Sequence, residues 1–257
     1  NKITLDNIEG EIEFKNVSFK YPSGYTNVLK NINLKINKGT TLGLIGHTGS
    51  GKTTLINLLS SIYDISEGEI LIDGKSIKQI PLRTLREAVG VVPQESFLFS
   101  TSIEKNIAYS HDSLDYDKVI EAAKSASLYK DVEQFPEKFQ TVVGERGITL
   151  SGGQKQRTSI ARAIYKNPKV LILDDSLSAV DTHTEEEILN ELKKVMKNRT
   201  SIIISHRISS IKNANNIIVL DGSIIKEQGT HNELISLGGI YYDLYQKQLL
   251  EEEIQES

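Results

Sequence analysis

Residues 11–19, Glu-Ile-Glu-Phe-Lys-Asn-Val-Ser-Phe, alternate polar and apolar side chains, which predicts a strand with one buried face. A second strand-like stretch runs from Val28 to Ile36 and is closed by Asn37-Lys38-Gly39. Thr41–Ile45 is a short apolar strand entering a glycine-rich loop, and Thr53–Leu59 reads as the helix after it. Glu69–Asp73 and Val89–Val92 predict two further strands. From Glu95 to Asn167 the texture changes: strand-like runs almost vanish and helical periodicity takes over, as in 116–126 and 153–165. From Val170 the alternation resumes, with strands at 170–173, 201–205, 217–220 and 224–227, a helix over 182–197 and a short helix after 205. Strands alternating with helices predict a largely parallel sheet with both faces covered. The helical block at 95–167 reads as an insertion into it. No internal repeat is present, and the acidic end at 251–256 predicts a solvated, frayed terminus.

The 257 residues allow one large α/β domain or two small ones, with enough chain to bury a core without staples. Cysteine is absent, which excludes disulfides and thiolate metal sites. The net charge of -4, with both signs mixed along most of the chain, leaves no broad basic footprint, so nucleic acid is not an expected partner. Apolar runs such as Leu42–Ile45 and Ile202–Ile204 are too short to span a bilayer. The first residues carry no signal-peptide pattern. The expectation is a soluble chain whose link to a membrane runs through a partner or a further segment.

Candidate chemistry begins at Gly46-His47-Thr48-Gly49-Ser50-Gly51-Lys52-Thr53, a full match to the phosphate-cradling loop G-x-x-x-x-G-K-[ST]. Its glycines let successive backbone N–H groups face one point, and the helix begun at Lys52 adds its positive end. Lys52 can reach the β/γ-phosphates of a nucleotide, and the Thr53 hydroxyl can ligate Mg²⁺. Asp174 ends the apolar strand Val170–Leu173, at the carboxyl edge where ligands gather in open α/β sheets. Leu150-Ser151-Gly152-Gly153-Gln154 precedes that strand and opens a helix. It is both an ordinary N-cap turn and a second anion-binding corner.

Together these segments resemble the ATP-binding cassette (ABC) ATPases, the motor domains of membrane transporters, over roughly residues 10–245. The resemblance implies an α/β fold: a P-loop NTPase (RecA-like) core with a mostly parallel sheet, an N-terminal antiparallel β subdomain and an inserted α-helical subdomain at about 95–167. Residues 1–9 then read as a linker from a transmembrane domain, and 246–257 as a helix end with an acidic tail. It also implies ATP and Mg²⁺ as ligands. Gly46 to Thr54 would hold the phosphates, Tyr21 would stack on adenine, and Thr53, Gln94 and Asp174 would face the metal. Asp175, His206 and Gln94 would be the catalytic residues. Ser151, Gly152, Gly153 and Gln154 would face the ATP of a second subunit, and Asp181, in Ser178–Asp181, would lie in a loop crossing the dimer interface. Several stretches look like the exporter branch in particular: Thr141–Gly147, Phe97–Ile107, Gly229–Leu234 and Gly239–Tyr245. In such proteins the ATPase domain follows membrane helices in one polypeptide, at the cytoplasmic face of the cell membrane.

One residue departs from the family pattern. Its working sites carry Glu after the Mg²⁺-binding Asp, to position and polarise the attacking water, and here that residue is Asp175. The shorter side chain draws the carboxylate back, and ångström-scale misplacement costs on the order of 10²-fold in rate. Leu173–Asp181 is similar to the degenerate half of heterodimeric bacterial multidrug exporters. Other readings stand beside this one: a homodimeric exporter with a slow Asp base, a soluble ABC ATPase of DNA repair or translation, and a regulatory nucleotide-binding module.

Overall fold

The structure, a computed structural model, describes residues 3–110, 113–144, 147–180 and 182–256. Strands β1 (Ile12–Phe19), β2 (Leu29–Ile36) and β3 (Thr41–Ile45) lead into helix α1 (Lys52–Leu59). β4 (Glu67–Ile72), β5 (Lys75–Ser76), α2 (Leu82–Ala88) and β6 (Val89–Val92) follow. The helical stretch holds α3 (Ile103–Ile107), α4 (Tyr116–Ser125), α5 (Tyr129–Val132) and α6 (Gly152–Tyr165). Then come β7 (Val170–Asp174), α7 (Thr182–Met196), β8 (Thr200–Ile204), α8 (Ile208–Ile211), β9 (Asn216–Asp221), β10 (Ile224–Gly229), α9 (His231–Leu237) and α10 (Ile240–Glu256). The chain divides into two compact units, one of the segment up to Ala88 with that from Asn198 onward, the other Val89–Lys197.

The first unit holds two sheets. One is antiparallel, in the order β2-β1-β4-β5. Its alternation buries Ile12 and Phe14 of β1 against Leu34 and Ile36 of β2 and Ile70 and Ile72 of β4. A step of three residues from Phe14 to Val17 would turn Val17 outward. A bulge there, with Asn16 at φ 49°, returns Val17 to the core face, where it is fully buried. In the other sheet β3 pairs in parallel with β8 and with β9, and β10 closes antiparallel on β9. β8 is buried at every position, the mark of a strand covered on both faces. Gly43 in β3 leaves room for α8 and β9: a Cβ there would lie 3.0 Å from Ile211 Cβ and 3.2 Å from Ile217 Cγ1.

α10 runs on through the acidic end, where the composition predicts a frayed terminus. Its Leu, Gln and Glu residues are good helix formers, and Lys247 lies 3.9 Å from Glu251 one turn on. Among the described residues no helix is long and apolar enough to cross a membrane.

In the second unit β6 pairs in parallel with β7, Val89 opposite Val170 and Val92 opposite Leu173. Helices α3, α4 and α6 pack on one another. The core of this helical part is polar at one point. Asn106 is fully buried, and its Oδ1 accepts from Phe99 N–H at 2.9 Å and from Arg162 Nη2 at 2.9 Å. Its Nδ2 donates to Phe99 O at 3.0 Å and Ser102 O at 3.1 Å. Arg162 also donates to Asn106 O at 2.7 Å and to Phe97 O at 2.9 Å. This amide therefore sets the course of the 97–107 stretch. Asn106→Ala strips several buried backbone groups and Arg162 of partners, and we expect a loss of about 2 kcal/mol or more in stability. The midpoint of denaturant unfolding checks it.

Candidate functional site

The phosphate loop runs from the end of β3 into α1, as its spacing predicts. Two glycines in it are required by close approach. A Cβ on Gly46 would lie 2.1 Å from Leu220 O. Gly51, at φ 100°, is the N-cap of α1, and a Cβ there would meet Leu29 Cδ2 at 2.9 Å. Because Gly51 has no side chain, α1 begins without a side-chain cap, leaving its first-turn N–H groups without that acceptor. Lys52 is 7 % exposed and bends back over the loop, donating to Gly46 O at 2.8 Å and His47 O at 2.9 Å. Among the described residues the Ser50 hydroxyl is buried without a hydrogen-bond partner. A buried ammonium, an uncapped helix start and an orphaned hydroxyl make a donor-rich loop, and that chemistry fits a polyphosphate. His47, Thr48 and Gly49 are exposed along the loop, and His47 Nδ1 lies 3.3 Å from Asp221 Oδ1. Thr53 is exposed and Thr54 buried.

Tyr21 is half-buried, with its hydroxyl 2.9 Å from Thr54 Oγ1 in the first turn of α1. Its ring stands edge-on to Phe19 at 4.9 Å and to Tyr63 at 5.2 Å. The aromatic position and the phosphate loop are thus joined by one hydrogen bond. His206 follows β8 with an exposed side chain.

In the other unit Asp174 ends β7 and is 5 % exposed. Asp175 is half-buried in a left-handed backbone conformation, φ 45°. Its Oδ2 accepts from Gln94 Nε2 at 3.3 Å, which brings together two of the three expected catalytic residues. Ser151 caps α6 by a capping box: its Oγ accepts from Gln154 N–H at 3.2 Å, and Gln154 Oε1 accepts from Ser151 N–H at 3.0 Å. Gln154 thus holds the turn through its Oε1, while the exposed Ser151 hydroxyl keeps its own proton to donate. Gly152 and Gly153 lie against the loop after β7. A Cβ on Gly153 would be 3.2 Å from Val180 Cγ1. Asp181 in that loop, and Glu145 and Arg146 in the stretch 141–147, lie outside the described residues.

Sequence reasoning missed Gln156. It is 4 % exposed, accepts from Ala179 N–H at 3.1 Å and reaches Ser178 Oγ at 3.4 Å. It ties α6 to the loop after Asp175, and an isolated Gln inside a helix carries no signal of such a task.

A family model described as ABC transporter matches residues 29–178. The chain belongs to the ABC transporter family. Its ATP-binding domain is 49 % identical over 241 residues to the uncharacterized ABC transporter ATP-binding protein YknU of Bacillus subtilis (strain 168), covering 94 % of this chain and 41 % of that protein. It is 43 % identical over 254 residues to the ATP-dependent lipid A-core flippase of Syntrophus aciditrophicus (strain SB), covering 99 % of this chain and 42 % of the flippase. Among solved structures, a bacterial Atm1-family ABC exporter with ATP bound matches it at a TM-score of 0.91 and 39 % identity, over 96 % of this chain and 43 % of that one. The chain thus spans less than half the length of each of these relatives. The mixed α/β architecture with an antiparallel β subdomain and an added helical part is that of an ABC ATP-binding domain.

Proposed function

We propose that this chain is the ATP-hydrolysing motor of an ABC exporter, and the half of a heterodimer whose own site carries a degenerate carboxylate. The observation that carries the second part is Asp175. It stands in the place of the family's glutamate, half-buried, with Gln94 Nε2 on its Oδ2. The exporter part is supported by relatives named as an exporter and a flippase. Their greater length supports a transmembrane domain on the same polypeptide, with residues 1–9 as its connection and 10–245 as the cassette. The motor then works at the cytoplasmic face of a bacterial cell membrane, and the cargo class is drugs or lipids.

Residue roles follow from chemistry and position. Tyr21 stacks on adenine. The loop amides from Gly46 to Thr54, with Lys52, hold the phosphates. Thr53, Gln94 and Asp174 would hold magnesium, which would supply charge neutralisation for the phosphates. His206 contacts the γ-phosphate. Ser151, Gly152 and Gly153 present donors to the partner's ATP, held in shape by Gln154, and Asp181 lies at the dimer interface. Asp175 retains the charge of the family's glutamate with a shorter reach, so ATP binding persists while water is poorly positioned.

The heterodimer reading makes an asymmetric prediction. The Ser151 hydroxyl serves the partner's fast site, whereas His206 serves this chain's slow one. A phosphate contact contributes to turnover only where water is activated. In the reconstituted pair, Ser151→Ala should therefore lower ATP turnover and transport more than His206→Ala does. Equal loss, or a greater loss from His206→Ala, argues for two equivalent sites and against the degenerate half.

A further inference from the structure

The loop that carries His206 is held from outside its own strand. Gln248 of α10 donates from Nε2 to His206 O at 2.6 Å and accepts at Oε1 from Ile208 N–H at 2.8 Å. One side-chain amide thus satisfies a carbonyl and an N–H two residues apart, and only one amide orientation does both. On the inner side of the loop, Ser205 Oγ accepts from Arg207 N–H at 2.9 Å and lies 3.2 Å from Ser210 Oγ. The two peptide groups that follow His206 are therefore held, the first from two directions, while the residue stays exposed.

Gln248 is itself well placed. The N-terminus of α10 is capped by the Glu227 carboxylate, which accepts from Tyr241 N–H at 2.9 Å. Tyr241 is fully buried, with its hydroxyl 2.8 Å from His231 Nδ1. Gln248 comes two turns after Tyr241, on the same face of the helix. Buried Tyr241 thus sets the rotation of α10, and that rotation aims Gln248 at the loop.

We infer that Gln248 is a positioning residue for His206, so that the C-terminal helix sets the γ-phosphate contact of this chain's nucleotide site. The inference rests on the proposed role of His206. Gln248 touches no nucleotide, and none of its bonds involves the phosphate loop among the contacts above. Its loss should therefore be felt by the γ-phosphate and not by the rest of the nucleotide. This separates positioning from general stabilisation, which would change ATP and ADP binding together.

The test is titration calorimetry of the full chain with MgATP and with MgADP. His206→Ala should lower the preference for ATP over ADP by about fivefold, the worth of one hydrogen bond of about 1 kcal/mol. Gln248→Ala should lower it by a similar factor with MgADP affinity unchanged, and the double variant should lose no more than either single one. Gln248→Glu keeps the acceptor for Ile208 N–H and loses the donor to His206 O. It should move the preference in the same direction, and it serves should the alanine variant fold poorly. An unchanged preference in both Gln248 variants overturns the inference. So does a full further loss from Gln248→Ala in the His206→Ala background, which would place its action elsewhere. An unchanged preference in His206→Ala instead removes the assigned role of His206, and the inference with it.

Discussion

Lys52→Ala should lower MgATP affinity by about 10- to 100-fold while the fold persists. The side chain is 7 % exposed, and its ammonium lies over the loop on Gly46 O and His47 O. Bound polyphosphate would offer that ammonium anionic oxygens in place of two neutral carbonyls. Hydrogen bonds to charged groups are worth about 1.5–3 kcal/mol each, which sets the size of the loss. Alanine also releases the two carbonyls, that of His47 at the exposed side of the loop and that of buried Gly46 facing the space the side chain vacates, which water can fill. The change should therefore fall mainly on binding and little on the unfolding midpoint. Calorimetry showing unchanged affinity for MgATP would remove Lys52 from the phosphate site.

Much of this was legible in the chain because the signals are local. A strand, a glycine turn and a helix in immediate succession leave the loop at 46–53 few alternatives, and α1 begins at Lys52 as the spacing requires. Alternation identified β1 and β2, although it could not show that Asn16 turns a three-residue step back to the core face. The strands β3, β7, β8 and β9 were readable as short apolar runs. Their pairing was not, since β3 lies between two strands more than 150 residues away in sequence. The site was legible where a motif carries it and opaque where a side chain acts at long range. Gln248 and His206 are 42 residues apart, and Gln156 and Ala179 are 23 apart. Neither glutamine has a charge or a pattern to mark it, and each becomes meaningful only through the backbone group it meets. The acidic tail shows the converse. Its composition reads as a solvated end, yet helix propensity and attachment to an anchored helix carry α10 to Glu256.

Asp175→Glu should raise ATP turnover by about 10²-fold while leaving MgATP affinity near the wild-type value. The carboxylate gains one methylene and reaches further past Gln94, whose Nε2 now lies 3.3 Å from Asp175 Oδ2. Charge is unchanged, so the phosphate and metal contacts are not asked to alter. The exchange has a cost on the other side. Asp175 sits at φ 45°, a left-handed conformation that Asp tolerates better than a longer side chain does. The variant should therefore be slightly less stable, by about 0.5–1 kcal/mol, as it becomes more active. Opposite movements of rate and stability distinguish a repaired catalytic position from a generally better-folded domain. Asp175→Asn sharpens the comparison. On the proposed reading the Asp175 carboxylate has little rate to lose, so the amide should stay within a few-fold of wild type, far short of the ~10²-fold gain from the longer acid. Phosphate release and thermal unfolding of the three proteins, measured side by side, provide the check. Wild type and Asp175→Glu turning over at the same appreciable rate would make Asp175 a competent base and return this chain to a symmetric pair of sites.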